Sequence, residues 1–241
     1  IPLTVVLVVT DGMIEGITNR IVGLSSYHLQ VAQIRNYADV DENLSDLENL
    51  AANIKQHPKV LSTFVERQGT VLAAGKTGRS GATVRAVDEK LFTENKAFSE
   101  YLEVIQGSAT FSSGKSCVIG KKIAEITGVS VGDSIRLIST RTSLSGSIIP
   151  KISVFKVEGI VSSGYQEIDA LWVFIPLKTG FEYLSSAAST ICVGIETENP
   201  FDDNFYKTFD EIYSFVPSGF SLYSWEELNA SQYENFASTK L

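Results

Sequence analysis

The chain has 241 residues, 44% of them apolar and 20% charged, with a formal net charge of −8 and only two cysteines and two histidines. That size supports one large domain or two smaller ones with a packed core, and the acidic balance, with no Lys/Arg block, removes the electrostatic basis for binding nucleic acid or an anionic lipid surface. No stretch of about 18 or more apolar residues occurs, so nothing here reads as a spanning helix, and the front lacks the basic region and cleavage site of a signal peptide.

The opening run Ile1 to Val9 is about half the length of a membrane-spanning helix. It is either a buried strand or the tail of a membrane helix. The apolar positions Val6, Val9, Met13, Ile17, Ile21 and Leu24 recur at spacings of three and four, which favours a helix. Gly23 and the pair Ser25-Ser26 are expected to stop it. His28 to Ile34 then alternates as a strand, and Leu44, Leu47, Leu50, Ala51 and Ile54 mark an amphipathic helix. KVLSTFVE and TVLAA read as two strands separated by Gln68-Gly69, which completes a β-α-β-β unit.

From Gly107 to Ser185 the pattern changes to short strands, SCVIG, DSIRLIS, SVFKVEGIV and ALWVFIPL, around one helix, KKIAEITG. Afterwards the β-α-β theme returns as TICVGIETE, a helix with Phe201, Phe205, Phe209 and Ile212 at helical spacing, and GFSLYSW. Ser224-Trp225-Glu226-Glu227 has the pattern of a capping box and starts a last helix through Tyr233, Phe236 and Ala237. The expected class is therefore α+β. Residues 1–27 are expected to form a helix, 28–106 with 186–223 a discontinuous α+β domain, 107–185 an inserted mostly-β subdomain, and 224–241 a terminal helix. Both ends look like helices cut from a longer chain, as in a loop between two membrane helices; the alternative is a terminal helix pair on a soluble domain.

Chemistry is hard to find in this sequence. Gly75-Lys76-Thr77 and Gly114-Lys115-Ser116 lack the glycine that a phosphate loop needs five positions before the second one, Thr70 and Ala109 standing there, so both read as turns. His28 and His57 form no metal motif and leave no partner for a nucleophile. Cys117 and Cys192 sit in apolar runs and read most simply as buried small hydrophobes. Glu167 and Asp169 read as a solvated strand edge. An enzyme is not expected, nor a cofactor or metal. One stretch does look exposed for a purpose: TRTSLSGSIIPKI, a connection of about a dozen residues against the two to five of an ordinary hairpin. It is mobile in composition yet carries Leu144, Ile148, Ile149 and Pro150. Either these fold back on the parent domain or the stretch is a protruding contact arm.

Three segments resemble one family. VVTDGMIEGITNRIVGLSSYHLQV resembles the start of the periplasmic domain of lipoprotein-releasing permeases of the LolC/LolE type; VIGKKIAEITGVSVGDSIRLIS is similar to their signature insert; EIDALWVFIPLKTGFEYL is similar to the strand and Pro-Leu turn that follow. The resemblance implies a periplasmic domain held between two membrane helices of an inner-membrane ABC transporter subunit, more distantly related to MacB-type permeases, with a porter-like part and a "sabre" part. It further implies a separate cytoplasmic ATPase subunit, a second permease subunit, lipoprotein cargo and a soluble LolA-like carrier. The carrier-binding hook would fall on Arg141, Leu144, Ile148, Ile149, Pro150 and Lys151. The alternative within the same superfamily is a MacB-like or cell-division-type permease acting mechanically on an efflux partner or a wall hydrolase; those relatives lack a long loop at this place.

Overall fold

A computed structural model of the chain describes residue 16 and residues 19–34, 43–142 and 148–230. The first strand, β1 (Leu29–Gln33), buries Leu29 and Val31 and so follows the expected alternation. Helix α1 (Leu44–Lys55) starts where the Asn43 side chain accepts a hydrogen bond from the Ser45 N–H. It buries Leu47, Ala51 and Ile54, as their helical spacing predicts.

Strand β2 (Val60–Ala74) departs from expectation. It is a single 15-residue strand that passes straight through Gln68 and Gly69. Gly69 is there for close packing, because a Cβ at that position would press on the side chain of Leu184 and the carbonyl of Ala188. The chain turns later, at Gly75-Lys76-Thr77-Gly78, where the Gly75 N–H donates to the Gly78 carbonyl at 3.0 Å, and returns as β3 (Arg79–Val87). The first Gly-Lys-Thr triplet is thus a hairpin turn.

The remaining elements are α2 (Leu91–Glu94), α3 (Lys96–Tyr101), β4 (Glu103–Gly107), β5 (Ser116–Gly120), α4 (Lys121–Thr127), β6 (Ser134–Thr142), β7 (Ile148–Ser162), α5 (Gln166–Asp169), β8 (Trp172–Pro176), α6 (Leu177–Tyr183), β9 (Ser189–Thr197), α7 (Phe205–Tyr213), β10 (Phe220–Ser224) and α8 (Trp225–Leu228). Gly128, in the left-handed region at φ 67°, ends α4. The helix predicted from Phe201, Phe205, Phe209 and Ile212 begins only at Phe205.

The ten strands of the described residues join one mixed sheet in the order β10-β1-β9-β2-β3-β8-β5-β7-β4, with β6 bridging β2 and β7. Among these pairings only β3/β8 and β5/β7 run parallel. The architecture is α+β, as expected. One apolar core, with Val71, Val84, Ile135, Leu137, Phe155 and Val173, lies under α4 and α6. A second gathers Leu29, Val31, Ile54, Val193 and Ile212 under α1 and α7. A third, rich in aromatics, lies on the other face around Tyr27, Phe98, Trp172 and Phe174.

Two further expectations change. Asp169 is buried: its carboxylate accepts from the Ser163 N–H at 2.7 Å and from the Ser162 and Ser163 hydroxyls, clamping the chain as it leaves β7. The predicted dozen-residue connection is instead mostly paired strand. Strands β6 and β7 stay in register from Ser134↔Lys156 to Thr142↔Ile148, which leaves only residues 143–147 between them. The β-branched residues Thr140, Thr142, Ile148 and Ile149 favour that pairing. Pro150 is tolerated because this half of β7 pairs only with β6 among the described strands, so its other edge needs no donor. Cys117 and Cys192 are both buried and free, their thiol pKa values raised by burial.

Candidate contact arm and its anchor

Five of the six residues of the predicted hook, Arg141, Ile148, Ile149, Pro150 and Lys151, are brought together by the β6/β7 hairpin. Arg141 stands opposite Ile149, Thr142 opposite Ile148, Thr140 opposite Pro150, and Ser139 opposite Lys151. Leu144 lies outside the described residues. The Lys151 ammonium donates to the Glu182 carbonyl at 2.8 Å and lies 5.5 Å from the centre of the Tyr183 ring, so it pins the root of the hairpin to the end of α6. Pro150 is exposed and Ile149 half-buried. The arm is therefore a stiff β-ribbon with an apolar tip region, rooted by a charge.

The opposite end of the domain is built around the end of the N-terminal helix. Residues 19–21 are α-helical and Val22–Ser26 continue as a π-turn, so the helical run passes through Gly23 and ends at the Ser25-Ser26 pair. Gly23 instead lets the turn press against Ala97 of α3, where a Cβ would collide with the Ala97 side chain. Tyr27, at φ 57°, ends the turn. Its ring lies flat over Gly194, which leaves no room for a Cβ there.

Beneath Tyr27 lies a buried ion pair. The Arg85 guanidinium donates through Nε to Glu66 Oε1 at 2.5 Å and through Nη2 to Oε2 at 2.8 Å, while Nη1 reaches the Leu24 carbonyl at 2.7 Å. The Tyr27 hydroxyl donates to Glu66 Oε2 at 2.7 Å. The guanidinium is enclosed by the rings of Trp172 at 4.6 Å, Phe98 at 5.3 Å and Phe174 at 5.5 Å. Burial alone would lower the Arg85 pKa, but Glu66 outweighs it and the group stays charged. Burial, then the Glu66 carboxylate, push the Tyr27 phenol well above its usual value. One charge cluster thus joins the π-turn to β2 and β3. Sequence reasoning passed over it; the signal was an acid and a base, Glu66 and Arg85, each within a strand run, FVERQG and TVRAV.

The C-terminal segment docks at the same place. Asn229 Nδ2 donates to Ser26 Oγ at 2.7 Å, and the Trp225 N–H donates to the His28 carbonyl at 3.0 Å. The predicted capping box is present, with Ser224 and Glu227 exchanging hydrogen bonds. His28 stands just before β1; burial, with Lys96 adding to it, lowers its pKa to about 4, and Nδ1 accepts from the Thr197 N–H at 2.9 Å. Among the described residues no group of three or more His, Cys, Asp and Glu could hold a metal, and no helix is long and apolar enough to cross a membrane.

These features can be set beside known proteins. A family model for the MacB-like periplasmic core domain matches residues 3–202. The fold is similar to the crystal structure of the periplasmic region of MacB from Actinobacillus actinomycetemcomitans, at 14% identity over 88% of this chain and 95% of that one, with a TM-score of 0.52. It is also similar to the extracellular domain of the noncanonic ABC-type transporter YknZ from Gram-positive bacteria, at 16% identity over 81% of this chain and 100% of that one, with a TM-score of 0.50. No curated protein matches the sequence. With most of its length covered by the family model and its sheet shared with these domains, the chain belongs to the MacB-like periplasmic core domain family, the extracytoplasmic domain type of ABC-transporter permeases.

Proposed function

We propose that this domain is a non-enzymatic coupling element of an inner-membrane permease, which carries motion from its two terminal segments to a protein contact made by the β6/β7 hairpin. The observation that carries this reading is the continuity of β2. Its residues Ser62 to Gly69 pair with β9, beside the docked terminal segments, and Leu72 to Ala74 pair with β6, at the hairpin. A displacement of the π-turn acts on β2 and β3 through Glu66 and Arg85 and reaches the hairpin along a hydrogen-bonded strand, which is stiff because every ladder bond resists it. A cytoplasmic ATPase subunit would supply the energy and a second permease subunit the other half of the pore. The porter-like and sabre-like division at residues 107 and 186 fits this reading, with the arm belonging to the insert.

The output we favour is release of lipoproteins from the membrane and hand-over to a soluble LolA-like carrier, held by Arg141, Leu144, Ile148, Ile149, Pro150 and Lys151. Support comes from the sequence resemblance and from Pro150 and Ile149 standing near the hairpin tip. The shortness of the tip, residues 143–147, favours a second reading, because a long loop was what separated lipoprotein release from MacB-like mechanotransmission. A photo-crosslinker at Ile149 of the full-length permease in cells distinguishes them. A soluble lipoprotein carrier in the adduct supports hand-over, an efflux component or wall hydrolase supports mechanotransmission, and labelling confined to the permease itself rejects the contact arm.

A further inference from the structure

Beyond the tip, one face of the sheet is apolar and uncovered. Cross-strand partners point to the same side, so the register places Leu72 of β2, Ile138 of β6 and Ile152 of β7 in one row, with Gly81 of β3 at its end. Ile152 is 59% exposed, and Val154 in the next row 50%. A Cβ on Gly81 would meet nothing within 4 Å, so the row ends in an open notch. The opposite side of the same strands is the closed core of Val71, Ala73, Leu137 and Phe155, which makes the contrast between the two faces complete.

The charge in the row next to it, that of Val154 and Ala74, is positive. Ala74 is flanked by Arg79 and Arg136, its partners on either side, and Lys156 stands two residues beyond Val154; all three cations are exposed. Asp133 is engaged with Lys76, and Glu158 accepts from Ser112 and lies 3.8 Å from Lys156, so among the described residues the unpaired positive charge beside the row is that of Arg79 and Arg136. On a chain of net charge −8 this is a local inversion. A second copy related by two-fold symmetry would bring these cations against themselves, which disfavours self-association. A membrane surface is disfavoured too, because the row has none of the Trp and Tyr anchors that mark interfacial contact.

We propose that the outer face of β2, β6 and β7 is a docking surface for a protein partner whose contact patch has an aliphatic centre and a carboxylate rim. Leu72, Ile138, Ile152 and Val154 supply the buried centre, and Arg79 and Arg136 steer the approach. The inference rests on the contact-arm reading and moves the contact from the tip of the hairpin to its flank. It holds for either output, carrier or efflux component.

The test places a photo-crosslinker at Ile152 in the full-length permease, in parallel with the one at Ile149, and identifies adducts by mass spectrometry. The captured protein is then purified and titrated against the permease and its variants Ile152→Glu and Arg136→Glu, at low and high salt. The expected result is one protein captured from Ile152, with binding weakened about tenfold or more by each variant and by salt. Both substituted positions are exposed, so an unchanged thermal melt separates lost docking from lost folding. Capture from Ile149 but not Ile152 overturns the flank and leaves the arm. Adducts only with lipid or with another copy of the chain, or binding indifferent to Arg136→Glu, overturn the proposal.

Discussion

Arg85 and Glu66, both fully buried, face each other across β2 and β3 with two hydrogen bonds, and among the described residues the pair is completed by Leu24 O and the Tyr27 hydroxyl from the N-terminal segment. Taking both charges out of water is costly, so the pair is a poor source of net stability but a strict condition on how the segment docks. Replacing Arg85 by Met strands the Glu66 carboxylate, and unfolding by denaturant should show a loss of about 3–5 kcal/mol. Adding Glu66→Gln removes the stranded charge and keeps an acceptor for Tyr27. The double variant should therefore recover at least half of that loss; simple additivity of the two costs would show that the pair is not coupled.

His28 gives a pH dependence of definite sign. Its folded pKa of about 4 lies below the unfolded value, so above roughly pH 6.5 the group is neutral in both states and contributes nothing to the slope. As pH falls from there toward 4, the unfolded chain takes up a proton that the folded chain refuses, and stability declines by about 3 kcal/mol. Protonation would also remove the Nδ1 acceptor used by the Thr197 N–H. His28→Gln should flatten this part of the curve, measured as the difference between the two proteins from pH 7 to pH 4, which cancels the carboxylates common to both.

Much of this architecture is legible in the chain because the burial is one-sided. Helix α1 shows its Leu47, Ala51 and Ile54 stripe and β1 and β10 their alternation, so periodicity finds them, whereas β9, buried on both faces, reads as a short apolar run. Where reading failed, tertiary contact had overridden local preference. Gly69 looks like a turn but is a strand glycine under Leu184 and Ala188, and Gly23, inside the π-turn that ends at Ser26, is a contact point for Ala97. Asp169 looks solvated because nothing in its own segment announces that Ser162 and Ser163 will come back to it. The hairpin residues could be named in advance but not their pairing, since Ser, Thr and Gly content describes a loop and a polar ribbon equally well.

The Gly23 contact makes a steric prediction. A methyl at residue 23 has no space beside the Ala97 side chain, and the two backbones are held by the Arg85 cluster and by α3, whose start is capped by Asn95. Gly23→Ala should cost about 1–3 kcal/mol through overpacking, even though alanine is the better helix former. Ala97→Gly in the same protein should restore most of that loss. A stabilising Gly23→Ala, read by thermal melting, would mean that propensity rather than contact governs the π-turn.

Asn229 and Ser26 bring the two end segments of the domain into register, 203 residues apart in sequence and 2.7 Å apart in space. Asn229 also donates to the Trp225 carbonyl, so a single buried amide closes the first turn of α8 and ties it to the π-turn. Replacing it with Ala removes two hydrogen bonds and leaves the Ser26 hydroxyl with its bonds to Val22 O and Tyr27 O. Because Ser26 keeps those partners, the cost should fall on α8 rather than on the sheet, at about 1–2 kcal/mol. Hydrogen exchange is the suitable readout. Amides of Trp225 to Asn229 should exchange about ten-fold faster in the variant, while those of β2 and β9 keep their protection. If β2 and β9 loosen together with α8, the terminal segments and the sheet open as one cooperative unit, and the amide is part of a single rigid body instead of a local tie.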